Sequence, residues 1–457
     1  MKKQKTKNKI RPAFTLIEAL IFLFIFSIVT VTFYRSYSLG TQYIINSKNR
    51  LAALALANEK MEIVRNLAFD DIAHTTGDPA GNLHESEDIV RNGASFNVLT
   101  QIKNEDDPFD GTLGGSPNDV DFIDYKYVKI TVSWNNGQYK VSMNSRFVPA
   151  GVEQPTANKG VLVINVSSDK GGGIIPQSLV RIQNSDTGLD ETHSTDNYGR
   201  LMMVGLSESI KKYVITVTKS GYETIASLPP YPDTSYNPIP ENASVVAGGL
   251  NTINIYQNEL SDLSIKTKDY KGDSVPDIDF HLIGGRQIGT EYNADPMAPA
   301  VPKYSTDADY TTNSSGEKNF SSIDPGNYTF TLNDSDYEVV GYDPVSPAVL
   351  APGGSLDMNV KVSRKDVAAL LVTISRADDL SLLEGASVRL TNGSGYDKTA
   401  VTSKDGLAFF PRSDDVSFTD GDYTLAVTAD GLVDYSESVT INENELKEKT
   451  VELDLQT

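Results

Sequence analysis

From Phe14 to Phe33 the chain is apolar at almost every position, FTLIEALIFLFIFSIVTVTF, and Glu18 is its one ionisable side chain. At about 1.5 Å of rise per residue, a helix of this length crosses a hydrocarbon core of about 30 Å. The apolar pattern then thins to one face of a helix. Ile44, Leu51, Leu54, Met61, Val64 and Ala68 follow at steps of 7, 3, 7, 3 and 4, which predicts a single helix continuing to Ala68 with these residues on its packed side. LAALALANEKMEIVRNLA has high helix propensity and no proline. Gly40 marks the expected position of a bend.

Beyond Ala68 the period changes. Residues 69–118 are rich in Asp, Asn, Gly and Pro and read as loop. Alternating segments at 96–102, 125–134 and 138–147 read as strands, the last two joined by the hairpin signal Asn135-Asn136-Gly137. PAGVEQPTANKG, ending at Gly160, has the composition of a linker.

The remainder repeats three times. Each unit opens with an apolar strand at 161–166, 263–267 or 370–374. Alternating pairs follow, Val180/Ile182, Phe280/Leu282 and Val388/Leu390, anchored at Pro176, Pro276 and Glu384. A Thr stands four residues before a Gly in every unit: Thr195/Gly199, Thr312/Gly316, Thr402/Gly406. Strands led by Tyr213, Tyr328 and Tyr423 come next, and alternating pairs close each unit: Ile253/Ile255, Met358/Val360 and Val451/Leu453/Leu455. Period-2 alternation with turn residues between short strands predicts half-buried antiparallel sheets, about seven strands per unit, folded as a sandwich. The Gly of each Thr-x-x-x-Gly is expected at positive φ in a turn. Two segments exceed the shared template, 227–242 and 284–307, and both read as long loops.

The fold class is therefore α+β, a long N-terminal helix with a small antiparallel sheet, followed by three all-β sandwiches. The expected divisions are 1–13, a leader; 14–148, with 14–33 as the membrane segment; a linker at 149–160; and sandwiches at 161–257, 258–363 and 364–457.

Charge narrows the function classes. Lys2, Lys3, Lys5, Lys7, Lys9 and Arg11 precede the span with no acid among them, which places the leader in the cytoplasm and the rest outside. The whole chain carries −21; without those six, 34 basic residues face 61 acidic ones, or −27. Such a surface argues against nucleic acid as a partner. There is no cysteine, hence neither disulfide nor thiolate metal site. His74, His84, His193 and His281 are scattered outside any ligand spacing. Asp307-x-Asp309-x-x-x-Asn313 lacks the Gly and Glu of a calcium loop. The acidic stretch with Asp106, Asp107, Asp110, Asp119 and Asp121 has the composition either of a solvated loop, the preferred reading, or of a calcium-binding loop. No cofactor, metal or catalytic constellation is expected, and the chain is not read as an enzyme.

A carboxylate inside an apolar span costs about 2.5–3.5 kcal/mol, so Glu18 needs a partner or a function. Basic leader, Ala13, Phe14, Thr15-Leu16-Ile17-Glu18 and the apolar run together resemble the N-terminus of type IV prepilins. The resemblance implies cleavage by a prepilin peptidase between Ala13 and Phe14, methylation of the new Phe14 amine, and pairing of that amine with Glu18 during assembly with other pilins. The family's usual Gly before the cut is Ala13 here. The helix and small sheet are similar to a minor pilin or pseudopilin. The repeats resemble carboxypeptidase-regulatory-like, transthyretin-like sandwich domains. Related isopeptide-forming pilin modules share that outline, but their Glu is missing after the repeat tyrosines, so no such bonds are expected. The resemblance implies a filament subunit of a pilus or secretion-type system, held first in the inner membrane by one span and then displayed on the cell surface. The alternative is an adhesin whose sandwiches bind a surface ligand and are merely displayed by the pilin segment. Tyr231, Tyr236 and Tyr292, in the two oversized loops, are the candidate ligand anchors.

Overall fold

The computed structural model describes residues 16–120, 122–149, 158–171, 173–295, 297–415 and 418–456. The chain is mostly β, with one N-terminal helix and several sheets. It divides into two compact units, one of residues 1–112 and 121–155, the other of 113–120 and 156–457.

The first unit is organised by one helix, Leu16–Arg65. It passes through Gly40 without a break in the helix. It ends at Arg65 rather than Ala68, where Asn66 and Leu67 turn back onto the carbonyls of Ile63 and Val64. The packed face matches the expected one at Met61 and Val64 and differs towards the N-terminus. Ala53, Leu56, Ala57, Met61 and Val64 are buried, whereas Ile44 and Leu51 are about 70% exposed (72% and 70%). At about 100° per residue, Ile44 and Leu51 lie opposite the Ala53–Ala57 face. Leu56, Met61 and Val64 share this face with the small Ala53 and Ala57, which a search for large apolar residues misses. The sheet is an antiparallel meander of Ser86–Arg91, Ala94–Glu105, Tyr125–Trp134 and Tyr139–Phe147. Its first strand lies where a loop was expected; as an edge strand it buries too little to show clear alternation. Phe96, Val98, Val128, Ile130 and Val132 close the core over the helix. In the hairpin, Asn135, Asn136 and Gly137 all take positive φ, as the expected turn requires.

Among the described residues, each repeat of the second unit has an apolar core cluster between two sheets, and Val340, Ala369, Leu371, Phe409 and Leu446 form a smaller buried cluster besides these. Val180, Ile182, Phe280, Leu282, Val388 and Leu390 are fully buried in them. Leu455 is not, with half its surface exposed. The sheets are not wholly antiparallel as expected. The opening strand of each repeat pairs in parallel with its closing strand: Lys159–Ser167 with Leu250–Tyr256, Ser261–Lys268 with Ser355–Arg364, Ala369–Arg376 with Leu446–Leu453. Parallel neighbours need a long crossover, and here the whole body of each repeat supplies it. The chain thus leaves each sandwich at the end opposite its entry.

The repeated residues do the same work three times. Tyr213, Tyr328 and Tyr423 are buried, and their hydroxyls donate to the carbonyls of Ser207, Asp324 and Thr419 at 2.6, 2.6 and 2.8 Å. Thr195, Thr312 and Thr402 form reciprocal pairs. Each backbone N–H donates to the carbonyl of Ser178, Ile278 or Ala386, whose own N–H donates to the threonine Oγ1 at 3.0, 3.0 and 2.9 Å. Gly199, Gly316 and Gly406 sit at φ +70, +68 and +68.

Candidate functional site

Two regions carry the candidate residues. The first is the distal part of the helix. Glu18 lies in its first turn and is exposed; Ala13 and Phe14 lie outside the described residues. No charged residue occurs from Ala19 to Tyr34. The hydroxyls of Ser27, Thr30 and Thr32 donate to carbonyls four residues back at 2.7, 2.8 and 2.8 Å, so the polar atoms of this stretch are satisfied within the helix. Large apolar side chains stay exposed well past the first twenty residues, at Tyr34, Tyr37, Leu39, Tyr43, Ile44, Ile45 and Leu51. The helix is therefore long and apolar enough to cross a membrane, and its apolar surface outruns that length.

The second region joins the first and second repeats. The segment 284–307 is not an irregular loop: most of it belongs to a hairpin of Asp279–Glu291 and Pro302–Thr311. Register shifts between Gly284, Gln287 and Gly289 break the alternation, which is why the sequence conceals it. The other oversized segment supplies a short strand, Tyr236–Pro238, that pairs antiparallel with this hairpin, Tyr236 opposite Glu291 and Pro238 opposite Gly289. Ile239 extends the pairing by donating its N–H to the Ile288 carbonyl at 2.8 Å. A piece of the first repeat thus forms an edge strand of the second. Tyr231 and Tyr292 stack on each other, with ring centroids 3.6 Å apart and planes 3° apart, while the Lys303 ammonium lies 5.9 Å from the Tyr236 ring. The three tyrosines converge, and two of them are each other's partner.

Beneath this contact lies a residue that the sequence pattern did not single out. The Glu223 side chain is 1% exposed, with Oε2 3.7 Å from Nε of Arg286 on the hairpin. Neither of its carboxylate oxygens has a hydrogen-bond partner among the described residues. Burial, followed by repulsion from Asp324, pushes its pKa up to about 7, against the pull of Arg286. Glu223 follows Tyr222 as Glu338 follows Tyr337, so nothing in the sequence separates the buried acid from the half-buried one.

The metal candidates of the second repeat are engaged otherwise. His281 sits between Asp309 and Asp307, with ring nitrogens 2.8 and 3.0 Å from their carboxylates. The hydrogen bond to Asp309 raises its pKa, and the bond to Asp307 adds to this. Asn313 Oδ1 accepts the N–H groups of Ser315 and Glu317 in a turn. In the acidic loop, Asp107 accepts from the Phe109 N–H at 3.1 Å and donates its own N–H to Asp124.

No family profile and no curated protein matches the chain. Among solved structures, the Bacillus anthracis TIE protein is 15% identical, with 72% of this chain and 59% of that one covered and a TM-score of 0.19. A streptococcal ancillary pilin is 13% identical over 65% of this chain and 99% of its own, with a TM-score of 0.20. The major pilin subunit of Bacillus cereus is 12% identical over 65% and 99%, with a TM-score of 0.17. At such values the likenesses carry no argument.

Proposed function

We propose that the chain is a structural subunit of a type IV pilin-like filament, a minor pilin or pseudopilin, and has no enzymatic role. The observation that carries this reading is the division of one unbroken helix. Residues 53–64 are packed into the unit's core, while the large apolar side chains from Leu16 to Leu51 have no cover. Lipid accounts for about twenty of those residues. The exposed apolar residues that follow, Tyr37, Leu39, Tyr43, Ile44 and Leu51, suit other helices of the same kind in a filament. On this reading a prepilin peptidase cuts between Ala13 and Phe14, the Phe14 amine is methylated, and that amine pairs with Glu18 of its own or a neighbouring subunit. The subunit waits in the inner membrane with its C-terminal part outside, then moves into a surface filament.

The sandwiches 161–257, 258–363 and 364–457 then act as a stalk. Two features support a stalk over a ligand-binding head built on the oversized loops. Parallel first and last strands thread each repeat from end to end, and Tyr231 and Tyr292 are taken up by each other.

Glu18→Ala is expected to remain in the membrane fraction, since removing the carboxylate eases insertion. Its share in sheared filaments should fall by about tenfold, the effect of losing about 1.4 kcal/mol of pairing. Mass spectrometry of the mature wild-type protein should find methylated Phe14 at the terminus. A terminus elsewhere, or equal incorporation of Glu18→Ala, overturns the reading.

A further inference from the structure

The first unit contains a cleft that the filament reading does not use. It has a volume of about 730 Å³ and lies between about two turns of the helix, 42–49, and the Asn135–Asn136–Gly137 hairpin, within the size range of small-ligand sites. Seven of its fifteen lining residues are Asn or Gln, and one, Asp88, is charged. That is an unusual wall for a chain of net charge −21. Several of these amides are held in place. Asn46 Nδ2 donates to the Tyr139 hydroxyl at 3.2 Å, Asn97 Nδ2 donates to Asp88 at 3.0 Å, and Asn135 Nδ2 donates to Gln138 Oε1 at 2.6 Å. Each contact uses one end of an amide and leaves the other end to a ligand.

Trp134 gives the independent sign of an occupant. It is the one tryptophan of the chain, it lines the cleft, and it is 6% exposed. Its indole N–H is buried and has no acceptor among the described residues. A buried donor without an acceptor costs about 1–3 kcal/mol, so an acceptor brought by a ligand would be favoured there. Trp134 stacks on Tyr139 with centroids 5.7 Å apart and planes 20° apart, which makes a flat aromatic step beside the amides.

We propose that this cleft binds a neutral oligosaccharide. Sugar hydroxyls both donate and accept, which matches paired amides, and their C–H faces lie on aromatic rings. The single carboxylate and absence of cations among the lining residues disfavour anionic glycans. A peptide finds little to anchor an apolar side chain, because Ile45 is the one large aliphatic residue of the wall. The proposal is independent of filament assembly, since the cleft is complete within one unit.

Trp134 is its own reporter. The full-length protein, solubilised in a detergent without a sugar headgroup, is to be applied to an array of neutral, sialylated and sulfated glycans. The strongest neutral glycan is then titrated against tryptophan emission. The expected result is selective capture of neutral glycans and a saturable change in Trp134 emission. The double variant Gln42→Ala/Asn49→Ala changes two helix side chains to the best helix former, so it should fold with an unaltered spectrum. It should also weaken binding by about tenfold or more, the worth of one or two hydrogen bonds. Capture of no neutral glycan, equal capture of anionic ones, or affinity unchanged in the double variant overturns the proposal.

Discussion

Gly406→Ala will destabilise the third repeat by about 2–5 kcal/mol, whereas Gly431→Ala in the same repeat will cost no more than about 1–2 kcal/mol. Both glycines are left-handed, at φ +68 and +75, so both substitutions incur the same backbone strain. They differ in what the new Cβ meets. At Gly406 it lies 2.6 Å from the Ile374 carbonyl oxygen and 3.1 Å from Leu382 Cβ; at Gly431 nothing lies within 4 Å. The obstruction at Gly406 is backbone of the repeat's opening strand, fixed because Ile374 donates its N–H to the Gly406 carbonyl at 2.9 Å. It cannot yield without breaking that bond.

Gly199 and Gly316 stand in the same place, with Val166 and Thr267 donating to their carbonyls at 2.7 and 2.8 Å and carbonyl oxygens 2.4 and 2.8 Å from the built Cβ. The penalty should therefore recur in all three repeats. A sandwich of this size has about 5–15 kcal/mol in total, so each substitution removes a large share. Urea unfolding followed by limited proteolysis of each repeat measures it. Equal losses for Gly406→Ala and Gly431→Ala would show that strain, not the strand contact, sets the cost.

The spacing of those residues was legible because each has a local job. Thr-x-x-x-Gly closes a turn onto its own repeat, and the buried tyrosine ties its strand to a carbonyl four to six residues upstream. Alternation reported the buried faces for the same reason. What the sequence concealed depends on partners far away. The parallel pairing of opening and closing strands spans the whole repeat, as in Val161 with Leu250. The hairpin 279–311 is disguised by bulges at its glycines, and its edge partner, 236–238, belongs to a different repeat. The packed face of the helix was legible at Met61 and Val64 but not at the buried alanines 53 and 57, which carry little hydrophobic signal. Glu18 and the three tyrosines were singled out from the sequence as candidates, whereas Glu223, Arg286 and the Trp134 cleft were not. Their character comes from burial, and burial at a joint is not written in the period of either strand.

Glu223 yields the second large effect. In the unfolded chain its carboxyl titrates near 4.5, and in the folded joint near 7. Between these values the folded state holds a proton that the unfolded state has released, so stability falls as pH rises across this window. Below about 4.5 the contribution is complete, and above about 7 it is lost. A shift of this size corresponds to about 3 kcal/mol. The groups acting on Glu223 come from both repeats: Asp324 and Asp169 oppose its charge, while Arg286 and the Asn258 backbone favour it. His281 works in the same direction, because its raised pKa stabilises the fold below 6.5 and this support fades as pH rises through the folded value. Only a comparison with a variant isolates Glu223. In Glu223→Gln the joint should be more stable than wild type at pH 8 by up to about 3 kcal/mol, with a flatter pH dependence between 5 and 7. Hydrogen exchange of the Ser209–Thr218 and Asp279–Glu291 strands, corrected for intrinsic rates, reads the difference. If wild type and Glu223→Gln lose protection in parallel from pH 5 to 8, Glu223 is ionised throughout and Arg286 neutralises it fully, and the joint does not respond to pH through this residue.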